Sequence, residues 1–296
     1  MRGPVLVTGS SGFIGQAVVK LLATRGCDVR SYDLANGQDV CNIDELRAAL
    51  NKVRAVVHLG APSSVVHFTA DPVGCRRATV DGTAALLSLF HGRIIVPSTA
   101  GVYGDAGTPV REDASNLKPI NRYAEAKLAV ERLCAEANAS GGDVKVLRIF
   151  TGYGPDEWRK GAAASPVMHI VEALLENRGP EIFGDGRQKR DFIYIDDIAT
   201  AVLSALNTES GEMAFNIGTG YAASILDVFT EASRQLGTFA KPKFVSARFP
   251  LAPLLVADIS KAAEILGFAA RTSLAFGIER TISAYRSVRR SQPSRA

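Results

Sequence analysis

The sequence predicts an α/β fold in which a doubly wound parallel sheet carries a smaller C-terminal lobe. Short β-branched runs alternate with amphipathic helical stretches through the first half of the 296 residues. This alternation is typical of βαβ units with helices on both faces of a parallel sheet. The second half is less regular and is interrupted by glycine-rich turns at 152–155 and 184–186. It therefore indicates a lobe that closes over the sheet rather than a second wound domain.

Hydrophobic periodicity places the elements of the first half in order. Strands are predicted at Val5–Thr8, Val29–Asp33, Ala55–Leu59, Arg93–Pro97 and Val144–Arg148. Helices are predicted at Ile14–Arg25, Asp44–Asn51, Val80–Phe90 and Tyr123–Asn138. We expect residues 1–165 to form the sheet domain, with segments near 190–218 returning to it, and residues 166–296 to form mainly the smaller lobe. The basic tail 286–296 has no apolar periodicity and is predicted to be disordered.

The composition excludes several classes of protein. With 47% hydrophobic residues, 22% charged residues and a net charge of +4, the chain reads as an ordinary globular protein without a nucleic-acid-binding arm. It has no signal-peptide pattern and no apolar run near the roughly 20 residues that span a bilayer, so no membrane partner is expected. The four cysteines form no CxxC pair and lack a histidine at ligand spacing. Reduced thiols, no metal site and a cytoplasmic location are therefore expected.

A glycine-rich turn follows the first strand. In Gly9-Ser-Ser-Gly-Phe-Ile-Gly15, the first glycine permits a tight turn and the second lets the backbone approach a pyrophosphate. The third allows close packing of helix on strand, and the helix N-terminus faces the phosphates with unpaired N–H groups. Such a triplet alone often serves only a turn. Here a strand precedes it and a helix follows, which predicts a dinucleotide site on a Rossmann-type unit.

Asp33 indicates which dinucleotide binds. It ends the second strand, about 20 residues beyond the turn, where a carboxylate accepts hydrogen bonds from ribose hydroxyls. An acid at this position repels a 2′-phosphate, so NAD is predicted rather than NADP. The alternative is a solvated carboxylate at a strand end.

Tyr123 and Lys127 are spaced to lie one helical turn apart on the same face. A free phenol has a pKa near 10, too high for a base at neutral pH, and a nearby cation would lower it. Most such pairs are surface residues, but this helix follows a strand that ends in Pro97-Ser98-Thr99. Those hydroxyls would emerge at the carboxyl end of the sheet, where doubly wound folds bind ligands. We therefore predict acid–base chemistry there, with a hydroxyl bound to a substrate oxygen.

With these elements in order, the chain resembles the extended short-chain dehydrogenase/reductase family, in particular its NAD-dependent sugar-nucleotide epimerases and dehydratases. The resemblance covers nearly the whole chain, because further motifs follow in the expected sequence. They are Asp39-Val40, Val57-His-Leu-Gly-Ala61, Asp81-Gly-Thr83, Ser98-Thr-Ala-Gly-Val-Tyr-Gly104, Arg148-Ile-Phe-Thr-Gly-Tyr-Gly-Pro155, Phe183-Gly-Asp-Gly186, Arg190-Asp-Phe-Ile-Tyr-Ile-Asp-Asp197, Phe215-Asn-Ile-Gly218 and Asp258-Ile-Ser-Lys261.

The resemblance implies roles for individual residues. The catalytic set would be Thr99, Tyr123 as the acid/base, and Lys127, which would also hold the nicotinamide ribose. The implied cofactor-binding residues are Gly9, Ser11, Gly12, Phe13, Ile14, Gly15, Asp33, Asp39, Val40, Leu59, Gly60, Ala61, Tyr123, Lys127 and Phe150. The implied substrate-binding residues are Ser98, Thr99, Thr151, Arg190 and Arg248. Of these, Arg190 suits the substrate diphosphate, because its planar fork pairs with phosphate oxygens. His58 is interpreted as a strand residue packed near the cofactor rather than a catalyst.

The chain departs from the family pattern at informative positions. Dehydratases and decarboxylases of the family usually carry an acid just after the catalytic Thr, whereas Ala100-Gly101 stands here, which leaves 4-epimerisation or simple redox. Thr79 and Thr151 each replace a familiar Asn. The stretch that begins at Arg248 lacks the usual Arg-Pro-Gly-Asp pattern, so a second phosphate clamp is not expected.

The leading hypothesis is a homodimeric sugar-nucleotide 4-epimerase that works through a transient 4-keto sugar with tightly bound NAD. A net NAD-dependent oxidoreductase on a sugar or other small alcohol is the second hypothesis, and a dehydratase is less favoured. A third hypothesis is a non-catalytic NAD-binding scaffold. The intact Tyr123 and Lys127 argue against it.

Overall fold

The computed structural model describes residues 3–107, 109–246 and 252–291. The strands in chain order are β1 (Val5–Thr8), β2 (Val29–Tyr32), β3 (Ala55–His58), β4 (Arg93–Thr99), β5 (Asp143–Ile149), β6 (Thr151–Tyr153), β7 (Glu181–Phe183), β8 (Lys189–Arg190), β9 (Phe192–Tyr194), β10 (Ala214–Ile217), β11 (Ala223–Ser224), β12 (Lys243–Val245) and β13 (Leu254–Leu255). The α-helices are α1 (Phe13–Thr24), α2 (Ile43–Ala49), α3 (Val65–Ala70), α4 (Pro72–Arg76), α5 (Gly82–Leu89), α6 (Arg122–Ala139), α7 (Pro166–Leu175), α8 (Ile195–Asn207), α9 (Ile225–Leu236), α10 (Ser260–Leu266) and α11 (Leu274–Ser291). A π-helical turn at Arg77–Asp81 leads into α5, and 3₁₀ turns occupy Leu34–Asn36, Ala100–Tyr103 and Glu157–Ala163.

The described residues form a central parallel sheet of six strands in the order β10-β5-β4-β3-β1-β2. Val5 of β1 lies in register with Val29 of β2 on one side and with Ala55 of β3 on the other. The chain therefore reverses its winding direction beside β1, which is where an open α/β sheet binds ligands at its carboxyl edge. The predicted doubly wound parallel sheet is confirmed.

Alternate side chains of the sheet pack against helices on opposite faces. The first face comprises Val5, Val7, Val57, Ile95 and Leu147 with Val18 and Leu22 of α1 and Ile198 and Val202 of α8. The second face comprises Leu6, Val56, Ile94, Val96 and Val146 with Leu86 of α5 and Val130 and Cys134 of α6. Since both faces are covered, the carboxyl edge of the strands is where polar side chains can meet a ligand.

The second half of the chain returns to this sheet and also builds outward from it. β10 joins the sheet beside β5, with Ala214 in register with Val146, and α8 packs against α1. Helices α7, α9 and α11 pack on one another, and β7 with β12 and β8 with β11 and β13 form small separate sheets. The boundary drawn at residues 165 and 166 stays a prediction.

The predicted disorder of the basic tail is wrong for residues 286–291, which belong to α11. The Tyr285 hydroxyl donates a 2.6 Å hydrogen bond to Glu172 of α7, and Arg289 forms an ion pair with Glu176 at the end of that helix. These contacts extend the helix beyond its apolar pattern, because the side chains that hold it are polar. Residues 292–296 lie outside the described residues.

Helices α3 and α4 were not predicted. Each begins at a side-chain cap, since Ser64 accepts a hydrogen bond from the N–H of His67 and Asp71 accepts one from that of Gly74. They carry the chain from β3 to α5 across the carboxyl edge of the sheet. In the ranges that the structure describes, no helix is both long and apolar enough to cross a membrane.

Candidate active site

The glycine turn between β1 and α1 forms one wall of the site. Gly9 has a φ of 67°, a left-handed value that favours glycine, and a Cβ on it would lie 2.5 Å from the Leu59 carbonyl. A Cβ on Gly15 would clash with the Gly9 carbonyl. Only glycine at Gly9 and Gly15 therefore lets the turn lie this close to the neighbouring strand and leaves its backbone accessible to a ligand.

The N-terminus of α1 can receive a phosphate. Gly12 is the N-cap residue, and no side chain caps the helix. By contrast, α2, α6 and α7 are capped by Asn42, Asn121 and Ser165. The first N–H groups of α1 therefore point, with the positive end of the helix dipole, into the space beside the turn.

Asp33 lies directly against the turn. Its Oδ2 accepts a 2.8 Å hydrogen bond from the Ser11 N–H and its Oδ1 accepts one of 2.8 Å from the Ala35 N–H. The carboxylate is thus fixed at the carboxyl end of β2 beside the turn, which the solvated-carboxylate alternative does not explain.

His58 lies beneath the site in a network whose proton positions can be derived. The Thr83 hydroxyl donates to the Thr79 carbonyl at 2.6 Å, so it must accept from Nε2–H of His58, at 3.2 Å. Nδ1 then accepts from the Thr8 hydroxyl at 2.9 Å, and Thr8 in turn accepts from the Gly60 N–H at 3.0 Å. Burial lowers the pKa of His58 to about 3. His58 is therefore a buried strand residue, as interpreted from the sequence, and its place near the cofactor stays a prediction.

Further residues of the expected cofactor path adjoin this network. Val40 is 6% exposed, and a Cβ on Gly60 would lie 3.0 Å from both Val40 and Thr8. Asp39 accepts a 2.8 Å hydrogen bond from the Cys41 N–H and lies 3.7 Å from Arg77. The structure therefore brings together the ends of β1, β2 and β3 where the sequence predicted them to meet.

Thr99 and Tyr123 meet at the carboxyl end of β4. The Thr99 hydroxyl accepts a 3.1 Å hydrogen bond from the Gly101 N–H. Burial raises the pKa of Tyr123 to about 12, against a smaller lowering by a hydrogen bond with Thr99. The raised pKa keeps the phenol protonated at neutral pH, and the roles of Thr99 and Tyr123 toward a substrate stay a prediction.

Lys127 is buried one turn beyond Tyr123, at 5% exposure. Its Nζ donates a 3.0 Å hydrogen bond to the Pro97 carbonyl, and burial lowers its pKa to about 8. In this structure burial raises the pKa of Tyr123 and Thr99 lowers it, so a lowering of that pKa by Lys127 stays a prediction. The ammonium is directed at the β4 backbone rather than at the phenol.

Ser98 does not face the site. It is 3% exposed, and its hydroxyl donates a 2.5 Å hydrogen bond to Glu131. Side chains alternate along a strand, so Ser98 points with Val96 toward α6. The prediction that Ser98 binds substrate is therefore wrong.

Behind β4 lies a buried polar network that sequence reasoning missed. Glu131 pairs with Arg148 at 2.7 Å, Arg148 donates to the Tyr103 hydroxyl at 2.9 Å, and Tyr103 donates to Asn216 at 2.7 Å. The sequence did contain a signal for this network, because Glu131 follows Lys127 by four residues and therefore lies on the same buried face of the helix.

Phe68 was also missed. It lies on the unpredicted helix α3, is 2% exposed, and its ring centroid lies 5.7 Å from that of Tyr123 with the planes tilted by 58°. It supplies part of the apolar surface against which the Tyr123 ring packs.

Thr151 and Arg190 adjoin one another on the other side of the cleft. The Thr151 N–H donates to the Asp191 carbonyl at 2.9 Å. Arg190 is half-buried, donates to the Lys189 carbonyl, and burial lowers its pKa. No carboxylate among the described residues forms an ion pair with Arg190, so this cation is suited to an anionic ligand.

Two other predicted residues receive less support. Phe150 packs with Ala100, Val102 and Tyr103, and its N–H is used by the Ile217 carbonyl at 3.0 Å. Its contact with a cofactor stays a prediction. Arg248 lies outside the described residues.

Comparison with known proteins agrees with this geometry. The model of the NAD dependent epimerase/dehydratase family matches residues 5–218. UDP-glucuronate 4-epimerase of Thermodesulfobacterium geofontis (strain OPF15) is 29% identical over 313 residues, covering 95% of each chain. The crystal structure of UDP-glucose 4-epimerase with UDP-glucose from Thermotoga maritima gives a TM-score of 0.90 at 27% identity, covering 96% of this chain and 99% of that one. MoeE5 in complex with UDP-glucuronic acid and NAD gives 0.87 at 31% identity, covering 97% of this chain and 100% of that one.

Proposed function

We propose that this chain, which belongs to the NAD-dependent epimerase/dehydratase family, inverts the C4 configuration of a UDP-sugar and keeps its NAD bound throughout. The observation that carries the proposal is the placement of Thr99 at the carboxyl end of β4 and of Tyr123 in the first turn of α6, the helix that Lys127 ties to the Pro97 carbonyl of the same strand. Lys127 is buried beside them, and the uncapped N-terminus of α1 lies at the same edge of the sheet.

The residues of this edge fit NAD. The first N–H groups of α1 would hold the pyrophosphate, and the Asp33 carboxylate, already fixed to the Ser11 N–H, would accept from the adenosine ribose. Asp39 and Val40 would border the adenine, and Lys127 would hold the nicotinamide ribose. Gly9 lies so close to Leu59 that no side chain would fit between them, and the cofactor would meet the backbone of the turn here.

The reaction needs one group that takes and returns a proton and one group that takes and returns a hydride. When bound, NAD supplies a cationic ring that takes a hydride from C4 and gives it back, so the sugar passes through a 4-ketone. The Tyr123 oxygen would take the proton of the C4 hydroxyl and return it, and the Thr99 hydroxyl would orient the C4 oxygen. A positive neighbour is needed to make the phenolate accessible, because burial alone raises the pKa of Tyr123 to about 12. Because Tyr123 would give back the proton that it takes and NAD would give back the hydride, the product would have the same composition as the substrate.

Elimination and decarboxylation are less well supported. Ala100, which follows Thr99, is 4% exposed and has no group to move a carbon-bound proton. Of the acids on the same helix, Glu125 is exposed in the first turn, and Glu131 is 4% exposed and paired with Arg148. These described residues therefore favour a proton shuttle for an oxygen over a base for a carbon.

The test uses the purified holoenzyme with UDP-glucose, UDP-galactose, UDP-glucuronate and UDP-galacturonate in turn. We expect interconversion of one epimer pair, followed by NMR, without accumulation of NADH absorbance. Tyr123→Phe should abolish turnover, whereas Tyr221→Phe, at a tyrosine that is 81% exposed, should not. Stoichiometric NADH release would instead assign a net oxidoreductase, and no turnover on any of the four sugars would reject the UDP-sugar epimerase.

The homodimer expected from the sequence stays part of this proposal. A cavity of about 330 Å³ lies at the surface between α5 and α6 and is lined by half-buried apolar residues including Leu87 and Leu133. Pairing of these helices with those of a second copy would cover it. Light scattering should report a dimer for the native chain and a monomer for Leu133→Glu.

A further inference from the structure

One segment of the described chain contacts the start of α1. This roof segment, Glu157–Ala163, is a 3₁₀ turn that contacts both α1 and α3. Its Trp158 packs against the apolar cluster that includes Phe13 and Ile14. The roof segment therefore lies beside the start of α1, the helix that follows the glycine turn.

Lys160 places its ammonium at this position. Its Nζ lies 5.5 Å from the centroid of the Phe13 ring, and Phe13 is the first residue of α1. The side chain is 23% exposed, and its partner in ion-pair range is Glu157 at 3.4 Å. The cation is therefore held beside the helix end that lacks a cap.

Glu157 does not need Lys160 as its main partner. It is fully buried, and its two oxygens accept from the N–H of Ser165 at 2.8 Å and from the hydroxyl of Ser165 at 2.6 Å. Compared with these bonds, the contact with Lys160 is long. Glu157 thus anchors the roof segment, while the lysine can exchange a weak contact for a stronger one.

The two stretches that border a pyrophosphate at the turn supply it with no side-chain cation. The turn Gly9–Gly15 contains no lysine or arginine, and neither does the stretch Leu59–Ala61. The N-terminus of a helix supplies only about half a positive charge, against two negative charges on the pyrophosphate. Lys127 is bound to the β4 backbone.

We propose that Lys160 is a cofactor-binding residue whose ammonium contacts the pyrophosphate of NAD and holds it from the roof segment against the glycine turn. This role concerns the retention of NAD and does not depend on which reaction the site performs. The exchange is a movement of one flexible side chain from Glu157 and the Phe13 ring to a phosphate oxygen, with no bond made or broken.

Calorimetry with the NAD-depleted chain tests the proposal directly. Lys160→Gln should weaken binding of NAD and of ADP, which share a pyrophosphate, by about tenfold, the effect of a charged hydrogen bond. Binding of adenosine, which has no phosphate, should be unchanged. Arg159→Gln is the matched control, because Arg159 carries the same charge one residue away but lies over the Trp158 ring and near Asp156. Lys160→Arg should restore most of the affinity.

Three results would overturn the proposal. Unchanged NAD affinity in Lys160→Gln would show that Lys160 does not contact the pyrophosphate. An equal loss of affinity in Arg159→Gln would show that the loss is a general effect of charge. An equal loss for adenosine would make Lys160 structural. Should Lys160→Gln fail to fold, Glu157→Gln with Lys160→Gln removes both charges together and must show the same ADP-specific loss. No sugar is needed, so failure here is distinguishable from failure of the proposed epimerase.

Discussion

Glu131 and Arg148 form a buried ion pair directly behind the strand that carries Thr99. Their side chains are 4% and 5% exposed and approach to 2.7 Å, and Ser98 adds a 2.5 Å hydrogen bond to the same carboxylate. The pair joins α6, which carries Tyr123 and Lys127, to β4 and β5. The relative position of Thr99 and Tyr123 therefore depends on a contact that neither residue makes.

We expect Glu131→Gln to lower the free energy of unfolding by about 3 kcal/mol, because it leaves the Arg148 guanidinium buried without its counter-charge. Ser98→Ala should cost about 1 kcal/mol, the value of a single hydrogen bond. Urea denaturation measures both. Glu136→Gln, at an exposed glutamate of the same helix, is the control, and an equal effect of Glu131→Gln and Glu136→Gln would contradict the prediction.

Lys127 should make the free energy of unfolding depend on pH in the alkaline range. Burial lowers its folded-state pKa from 10.5 to about 8, so between these values the unfolded chain binds the proton that the folded chain has released. Stability contributed at this site therefore rises with pH across that window. The unfolding free energy of the native chain minus that of Lys127→Met should increase by about 3 kcal/mol between pH 8 and 10.5.

Chemical denaturation at several pH values measures this difference, with Lys20→Met at an exposed lysine as the control. A native-minus-Lys127→Met difference that stays constant with pH would show that folding does not lower the pKa of Lys127.

The sequence predicted the parts of this molecule in which local pattern and tertiary environment agree. β-branched runs predicted β1 to the residue and β3 within one residue, because strands buried on both faces are apolar throughout. The Tyr123–Lys127 helix was likewise predicted within one residue at each end. Asp33 was placed correctly because the strand–turn–helix unit fixes its distance from the glycine turn.

What the sequence could not supply depends on contacts between distant residues. Helix α3 has six residues and α4 five, too few for periodicity to be visible, so Phe68 was not expected beside Tyr123. The strand that was predicted to end at Pro97 continues to Thr99, and this continuation turns Ser98 toward α6. The direction of the Lys127 ammonium is set by the Pro97 carbonyl, thirty residues earlier.

His58 should make the free energy of unfolding depend on pH in the acidic range. Burial lowers its folded-state pKa from 6.5 to about 3, so the unfolded chain binds a proton in this window and the folded chain does not. Its contribution is complete above pH 6.5 and is lost as pH falls toward 3. The unfolding free energy of the native chain minus that of His58→Asn should fall by about 2 to 3 kcal/mol from about pH 7 to about pH 4.5.

Denaturation across this range checks the effect, and His67→Asn at an exposed histidine serves as the control. If the native chain and His58→Asn lost stability in parallel as the pH falls, the conclusion that the His58 imidazole is neutral and hydrogen-bonded through both nitrogens would be wrong.

Asp33 should set the preference for NAD over NADP. Its carboxylate is fixed against the Ser11 N–H at 2.8 Å, so it cannot turn away from a 2′-phosphate placed at the end of β2. Asp33→Asn removes the negative charge and keeps an oxygen for the Ser11 N–H, although it gives up the bond from Ala35. We expect NADP to bind about tenfold more tightly to Asp33→Asn than to the native chain, since one like-charge repulsion near the surface is removed, while NAD binds somewhat more weakly. Calorimetry with both cofactors measures the ratio, with Asp44→Asn at an exposed aspartate as the control. If the ratio were the same in the native chain and in Asp33→Asn, the basis of NAD selectivity would have to lie elsewhere at this edge of the sheet.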